Sequence, residues 1–206
     1  MFVRLLLSLC LVLSLPAAYA EDAAPPDGVV KDLVDDVLAS IRKDREITHD
    51  LNRMEGLVER RILPSIDFLR MTRQAVGTRY WGEATPEQQA RLVDEFRTLL
   101  AHTFSRALTH YTDQTVMFTP FHAQPGAQEA TVKSVIVDPR DEATMLDYRL
   151  EKTETGWLIY DMKIDNFSLI RIYRSNFGGE LQQGGVSGLI GVLHKKNQSP
   201  DLSGHG

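Results

Sequence analysis

Cysteine is nearly absent: the 206-residue chain has one, Cys10. That excludes a disulfide framework, a cysteine-ligated zinc site and a CxxC redox pair. Positive charge is also short. There are 23 Lys and Arg against 28 Asp and Glu, a net charge of −5, which argues against nucleic acid as a partner. Beyond the first twenty residues no long apolar run occurs, so no later segment reads as a membrane span. What is present is 43% hydrophobic and 25% charged residues, enough to build one domain with a core and too apolar for a disordered chain.

The one long apolar run is a targeting signal. Arg4 precedes the run Leu5 to Leu15, and Ala18-Tyr19-Ala20 has the small-x-small pattern of a signal-peptidase site. Residues 1–20 are expected to be a signal peptide cleaved after Ala20, with export to the periplasm. Leu9 before Cys10 does not make a lipobox. The mature chain then loses its only thiol and one cation, which leaves a net charge of −6. Residues 21–27 read as a flexible leader, 28–197 as a single domain and 198–206 as a flexible tail.

Periodicity divides the domain in two. Val30, Leu33, Val34, Val37, Leu38 and Ile41 are spaced as on a helix, with Asp27 as its expected cap. Ile47, Leu51, Met54, Val58 and Ile62 mark a second helix. Pro64 is placed to open a third, through Phe68, Met71, Ala75 and Val76 to Gly77. Thr78–Gly82 reads as a loop. Thr85-Pro86-Glu87-Gln88 is a capping box, and it predicts a long central helix to about Tyr111. The period then falls to two. Four antiparallel strands are expected: Thr115–Phe121, Ala130–Val137, Ala143–Lys152 and Trp157–Ile164, with Gln124-Pro125-Gly126, Asp138-Pro139-Arg140-Asp141 and Glu154-Thr155-Gly156 as turns. C-terminal helices follow from Ser168, interrupted at Gly178-Gly179 and Gly184-Gly185. The fold class is α+β: N-terminal helices on a curved four-stranded antiparallel sheet, closed by C-terminal helices, with an apolar cavity between them.

No catalytic constellation stands out. The six histidines, His49, His102, His110, His122, His194 and His205, have no metal-ligand spacing, and no GxSxG, P-loop or GxGxxG occurs. Asp147 and Asp161 lie on neighbouring strands, but a solvated strand face is their simpler role. The chain therefore reads as a non-enzyme with no metal and no cofactor. The positive signal is apolar. Phe68, Met71, Phe96, Leu100, Phe104, Leu146, Tyr148, Leu150, Phe167, Tyr173 and Phe177 fall on facing stripes. They are either plain core or the walls of a ligand cavity. Phe167, between two polar residues, is expected to point inward. The paired glycines would let the C-terminal segment move as a lid.

In order and spacing, several motifs resemble the MlaC family of periplasmic phospholipid carriers, also called toluene-tolerance auxiliary proteins. They are Gly77-Thr78-Arg79-Tyr80-Trp81, Ala84-Thr85-Pro86-Glu87-Gln88-Gln89, Leu92, Glu95-Phe96 and Leu99-Leu100. In the second half they are Val116, Tyr148-Arg149-Leu150, Trp157–Met162, Phe167-Ser168-Leu169, Tyr173-Arg174, Phe177, Gly188-Leu189-Ile190 and Leu193. The resemblance implies an NTF2-like fold. It also implies one bound phospholipid, acyl chains inside and headgroup outside, lined by the eleven residues named above. Implied partners are an inner-membrane ABC-transporter complex carrying an MCE-domain protein and an outer-membrane lipoprotein–porin complex, met by a monomer. Arg79, Arg149 and Lys163 are candidate phosphate neighbours, with solvated surface as the plainer reading. Where the family carries glycine and valine before the last helix, this chain has Asn166 and Phe167. A carrier of another apolar lipid, such as a hopanoid, and an NTF2-like enzyme or interaction domain are the alternatives.

Overall fold

The computed structural model describes residues 24–111, 113–138 and 143–198. The expected signal peptide, the first residues of the leader, most of the turn after Asp138, and residues 199–206 of the tail lie outside them.

Helices come first. α1 (Pro26–Lys43), α2 (Leu51–Arg61), α3 (Phe68–Val76), α4 (Thr78–Glu83) and α5 (Pro86–Thr109) precede the sheet, with 3₁₀ turns at Arg45–His49 and Leu63–Ser65. The starts follow side-chain chemistry. Asp50 and Asp67 accept from the backbone N–H groups of Arg53 and Arg70 at 3.1 and 2.8 Å. At α5, Gln88 N–H donates to Thr85 Oγ1 at 3.2 Å and Thr85 N–H donates to Gln88 Oε1 at 3.0 Å, the reciprocal capping box the sequence predicts. Three expectations are corrected. Asp27 sits inside the first turn of α1 and pairs with Lys31 rather than capping. Pro64 belongs to a 3₁₀ turn, and α3 begins at Phe68 because Asp67 supplies the cap. Thr78–Glu83 is a short helix, not a loop, since Trp81 buries itself in the core and pulls the segment in.

The sheet has five strands, not four, in the order β1-β2-β3-β4-β5, all antiparallel. They are β1 (Thr115–Phe118), β2 (Glu129–Val137), β3 (Thr144–Thr153), β4 (Gly156–Ile164) and β5 (Phe167–Ser168). β1 ends before Phe121 because Pro120 has no N–H to donate. The fifth strand exists because Asp165 and Asn166 both take positive φ, 47° and 70°. That is the two-residue hairpin turn whose twist suits antiparallel strands, and asparagine is among the few residues that replace glycine there. β4 also carries a bulge. Arg149 pairs with Asp161 and Leu150 with Ile159, which leaves Tyr160 as the extra residue.

α6 (Leu169–Gln198) closes the fold. It runs straight through Gly178-Gly179, against expectation. It breaks only at Gly185, whose φ of 60° and ψ of −159° leave the helical region. The helix continues to Gln198, one residue into the expected tail. α6 packs on α3 and α5, and α1 packs on β2.

Candidate functional site

Strand pairing sorts the sheet residues by face. Phe118, Ser134, Leu146, Ile164 and Phe167 form one row across all five strands. Val132, Tyr148 and Met162 form the next, and Ala130, Leu150 and Ile159 a third. This face is apolar. Val132, Leu146, Tyr148, Leu150 and Ile159 are buried on it, together with Val30 from α1. Its margin is not sealed: Leu33, Phe118, Phe121, Ile136, Trp157 and Met162 are only half-buried. Two hydroxyls meet within it, Ser134 donating to Tyr148 Oη at 3.4 Å, and burial pushes the Tyr148 phenol above its ordinary range.

The opposite face is polar. Thr131, Arg149 and Asp161 share a row, as do Lys133, Asp147, Lys163 and Ser168. The solvated strand face expected for Asp147 and Asp161 is corrected for the second: Asp147 lies 3.9 Å from Lys133 in the polar row, whereas Asp161 is 0% exposed. It accepts from Ser168 Oγ at 2.8 Å, from the Ile170 N–H at 3.2 Å and from Arg149 at 3.4 Å. It thus satisfies an orphan N–H in the first turn of α6 and fastens that helix to β4. A charge spent in this way is structural.

Ten of the eleven candidate lining residues divide between two clusters. Phe68, Met71, Phe96, Leu100 and Phe177 are buried among α3, α5 and α6, with Phe104 and Tyr173 half-buried beside them. Phe96 meets Tyr173 and Phe177 edge to face, at centroid distances of 4.8 and 5.4 Å, so this group interlocks. Leu146, Tyr148 and Leu150 belong to the sheet cluster. A third cluster links the two: Leu33 touches it from the sheet side, and Ile62 and Leu108 from the helical side. Phe167 is corrected. It is 69% exposed, because β5 is an edge strand with no neighbour to cover it. It still belongs to the Leu146 row, so it stands at the open rim of the apolar face. Sequence reading missed α1 as the cover of that face. The signal was its stripe Val30, Leu33, Val34, read only as helix packing.

Of the candidate phosphate neighbours, Arg79 pairs with Glu83 and Arg149 with Asp161, while Lys163 lies in the polar row. Among the described residues no group of three His, Cys, Asp or Glu side chains could hold a metal ion. No helix among them is long and apolar enough to cross a membrane.

The model of the MlaC protein family matches residues 31–195. The chain belongs to the MlaC family. Its relatives agree. It is 22% identical to the toluene tolerance protein ttg2D of Pseudomonas putida, over 88% of this chain and 87% of that one. It is 22% identical to the intermembrane phospholipid transport system binding protein MlaC of Haemophilus influenzae, over 85% and 83%. A solved structure of a phospholipid-binding protein from Ralstonia solanacearum, in complex with a phospholipid, is 38% identical to it. That match covers 85% of this chain and 98% of the other, with a TM-score of 0.78. An α+β fold with helices backing an antiparallel sheet is thus the MlaC-family fold, consistent with the NTF2-like class expected from the sequence.

Proposed function

We propose that this chain is a phospholipid carrier of the periplasm. It holds one lipid against the apolar face of its sheet and passes it between an outer-membrane lipoprotein–porin complex and an inner-membrane ABC-transporter complex with an MCE-domain protein. The observation that carries the reading is the phospholipid-bound relative, 38% identical and aligned over nearly its whole length.

Physical chemistry supports it. Each buried CH₂ is worth roughly 0.8 kcal/mol, so two acyl chains represent on the order of 20 kcal/mol of avoided water contact. Apolar walls supply that without directional bonds, and the sheet face offers such walls with a half-buried margin for entry. Leu146, Tyr148 and Leu150 form one wall in this proposal. Phe68, Met71, Phe96, Leu100, Phe104, Tyr173 and Phe177 form the opposing one, reached when the clusters part. Phe167 stands at the rim. No cofactor is required beyond the lipid.

Native mass spectrometry of protein purified from its host tests the proposal. A co-purifying phospholipid at one per chain is expected. A different lipid, or a protein empty from every preparation, overturns it.

A further inference from the structure

Charge is unevenly distributed on this acidic chain. Residues 68–79 carry Arg70, Arg73 and Arg79 and no carboxylate, and residues 166–179 carry Arg171 and Arg174 and no carboxylate. The two segments, α3 and the start of α6, pack together. Between them and the end of β3 lies a cleft of about 450 Å³, lined by Asp67, Leu69, Arg70, Arg73, Gln74, Thr78, Glu151 and Arg174.

The cleft is held in shape. Arg70 bonds to both Glu129 and Glu151 and lies 3.6 Å above the Tyr160 ring centroid. Arg174 donates from Nε to the Gln74 carbonyl at 2.8 Å, which ties α6 to the end of α3. Asp67 caps α3 with its carboxylate. Arg79 is paired to Glu83 outside the cleft. Arg73 and Arg174, and Arg171 one turn before Arg174, have no carboxylate partner among the described residues. On the same wall Leu69 is 59% exposed. An exposed apolar side chain in a concave site, beside the guanidinium groups of Arg73 and Arg174 that hold no carboxylate among the described residues, is the anatomy of a docking anchor.

We propose that this cleft docks an acidic segment of a partner protein, with carboxylates on Arg73 and Arg174 of its lining and on Arg171 one helical turn outside it, and an apolar side chain on Leu69. A protein segment suits it better than a lipid surface, because the site is concave and sets an exposed leucine, Leu69, beside its guanidinium groups. It is not the headgroup end of the lipid seam. Phe68, Met71 and Ala75 turn the other side of α3 into the core, so the helix itself separates cleft from interior. The inference is independent of what the interior holds.

The test uses the full mature chain and a short dye-labelled peptide of glutamates around one leucine. Fluorescence anisotropy should show binding at ~50 mM salt that weakens steeply toward ~200 mM. Arg73→Glu with Arg171→Glu should weaken it about tenfold or more, Leu69→Ala less, and the milder Arg73→Gln with Arg171→Gln in between. Leu69→Ala and the Gln pair should stay close to the parent melting temperature, since among the described residues none of these side chains is in an ion pair, while the Glu pair should lower it slightly because Arg73 lies in the last turn of α3. Vesicles rich in phosphatidylglycerol and inorganic phosphate are the competing arms. No peptide binding, binding unchanged in both Arg pairs, or displacement of the peptide by vesicles or phosphate at equal charge concentration overturns the proposal. Lipid content read on the same samples separates this failure from failure of the carrier reading.

Discussion

The two faces of one sheet do different work. One side of β2, β3 and β4 presents Val132, Leu146, Tyr148, Leu150 and Ile159 to α1, with half-buried apolar side chains around the margin. The other presents Thr131, Lys133, Asp147, Arg149, Asp161 and Lys163, and it is fastened to α6 by hydrogen bonds to a fully buried carboxylate. Apolar contacts are non-directional and can be exchanged for acyl chains at little cost. The Asp161 contacts are directional and cannot. A carrier needs both: an exchangeable face for cargo and a fixed frame behind it.

Substitutions across this divide break the comparison to different degrees. The largest effect is expected for Leu150→Asp. It places a carboxylate at a 0% exposed apolar position, so we expect a loss of about 4 kcal/mol or outright unfolding, read by urea denaturation. Asp161→Ala should come next, at about 2–4 kcal/mol. It leaves Ser168, the Ile170 N–H and Arg149 without their acceptor. Asp161→Asn should recover part of the loss, since an amide oxygen still accepts. A catalytic role for Asp161 would instead show as lost function with unchanged stability.

Phe167→Glu separates cargo from frame. At 69% exposure the substitution should change stability by less than about 0.5 kcal/mol, yet it should reduce co-purifying lipid by putting charge at the rim of the seam. Phe167→Val should retain the lipid. Circular dichroism melts paired with lipid extraction decide this. A folded glutamate variant with full lipid would remove Phe167 from the entry path.

The smallest effect is on the polar side. The Arg70 guanidinium holds the Glu129 carboxyl below its ordinary value of 4.5. Its contribution is therefore present above that pH and lost as the pH falls through the lower folded value. Glu129 is largely exposed, so screening keeps the effect slight. Glu129→Gln should lower the melting temperature by about 1 °C at neutral pH and converge with the parent in strong acid.

Much of this frame was legible in the chain. The capping box at Thr85 and Gln88, the stripes of α1 and α5, and the alternation in β3 are local signals, and each element stands where its signal lies. The stripe expected for the second helix, by contrast, begins at Ile47, which falls in the 3₁₀ turn before the Asp50 cap of α2. The stretch 157–164 was legible as a strand, but which of its residues face inward was not, for a specific reason. The bulge at Tyr160 sets Ile159 and Met162 on one face at a spacing of three, which hides the period of two. β5 was missed because its turn uses Asp165 and Asn166 at positive φ, without a glycine to announce it. Phe167 was misplaced because its burial depends on whether a sixth strand exists, a fact of topology that no local pattern carries. The lining set was legible as apolar. Its division between an interlocked helical group and a looser sheet group depends on long-range packing.

The central claim is that the phospholipid lies along the apolar face of the sheet. Photolabelling tests it most directly, with a phosphatidyl lipid bearing a diazirine partway down one acyl chain and adducts mapped by peptide mass spectrometry. The account predicts adducts on Leu146, Tyr148, Leu150, Met162 and the facing stripe of α1. Adducts confined to Thr131, Asp147, Lys163 or the outer side of α3 would contradict it.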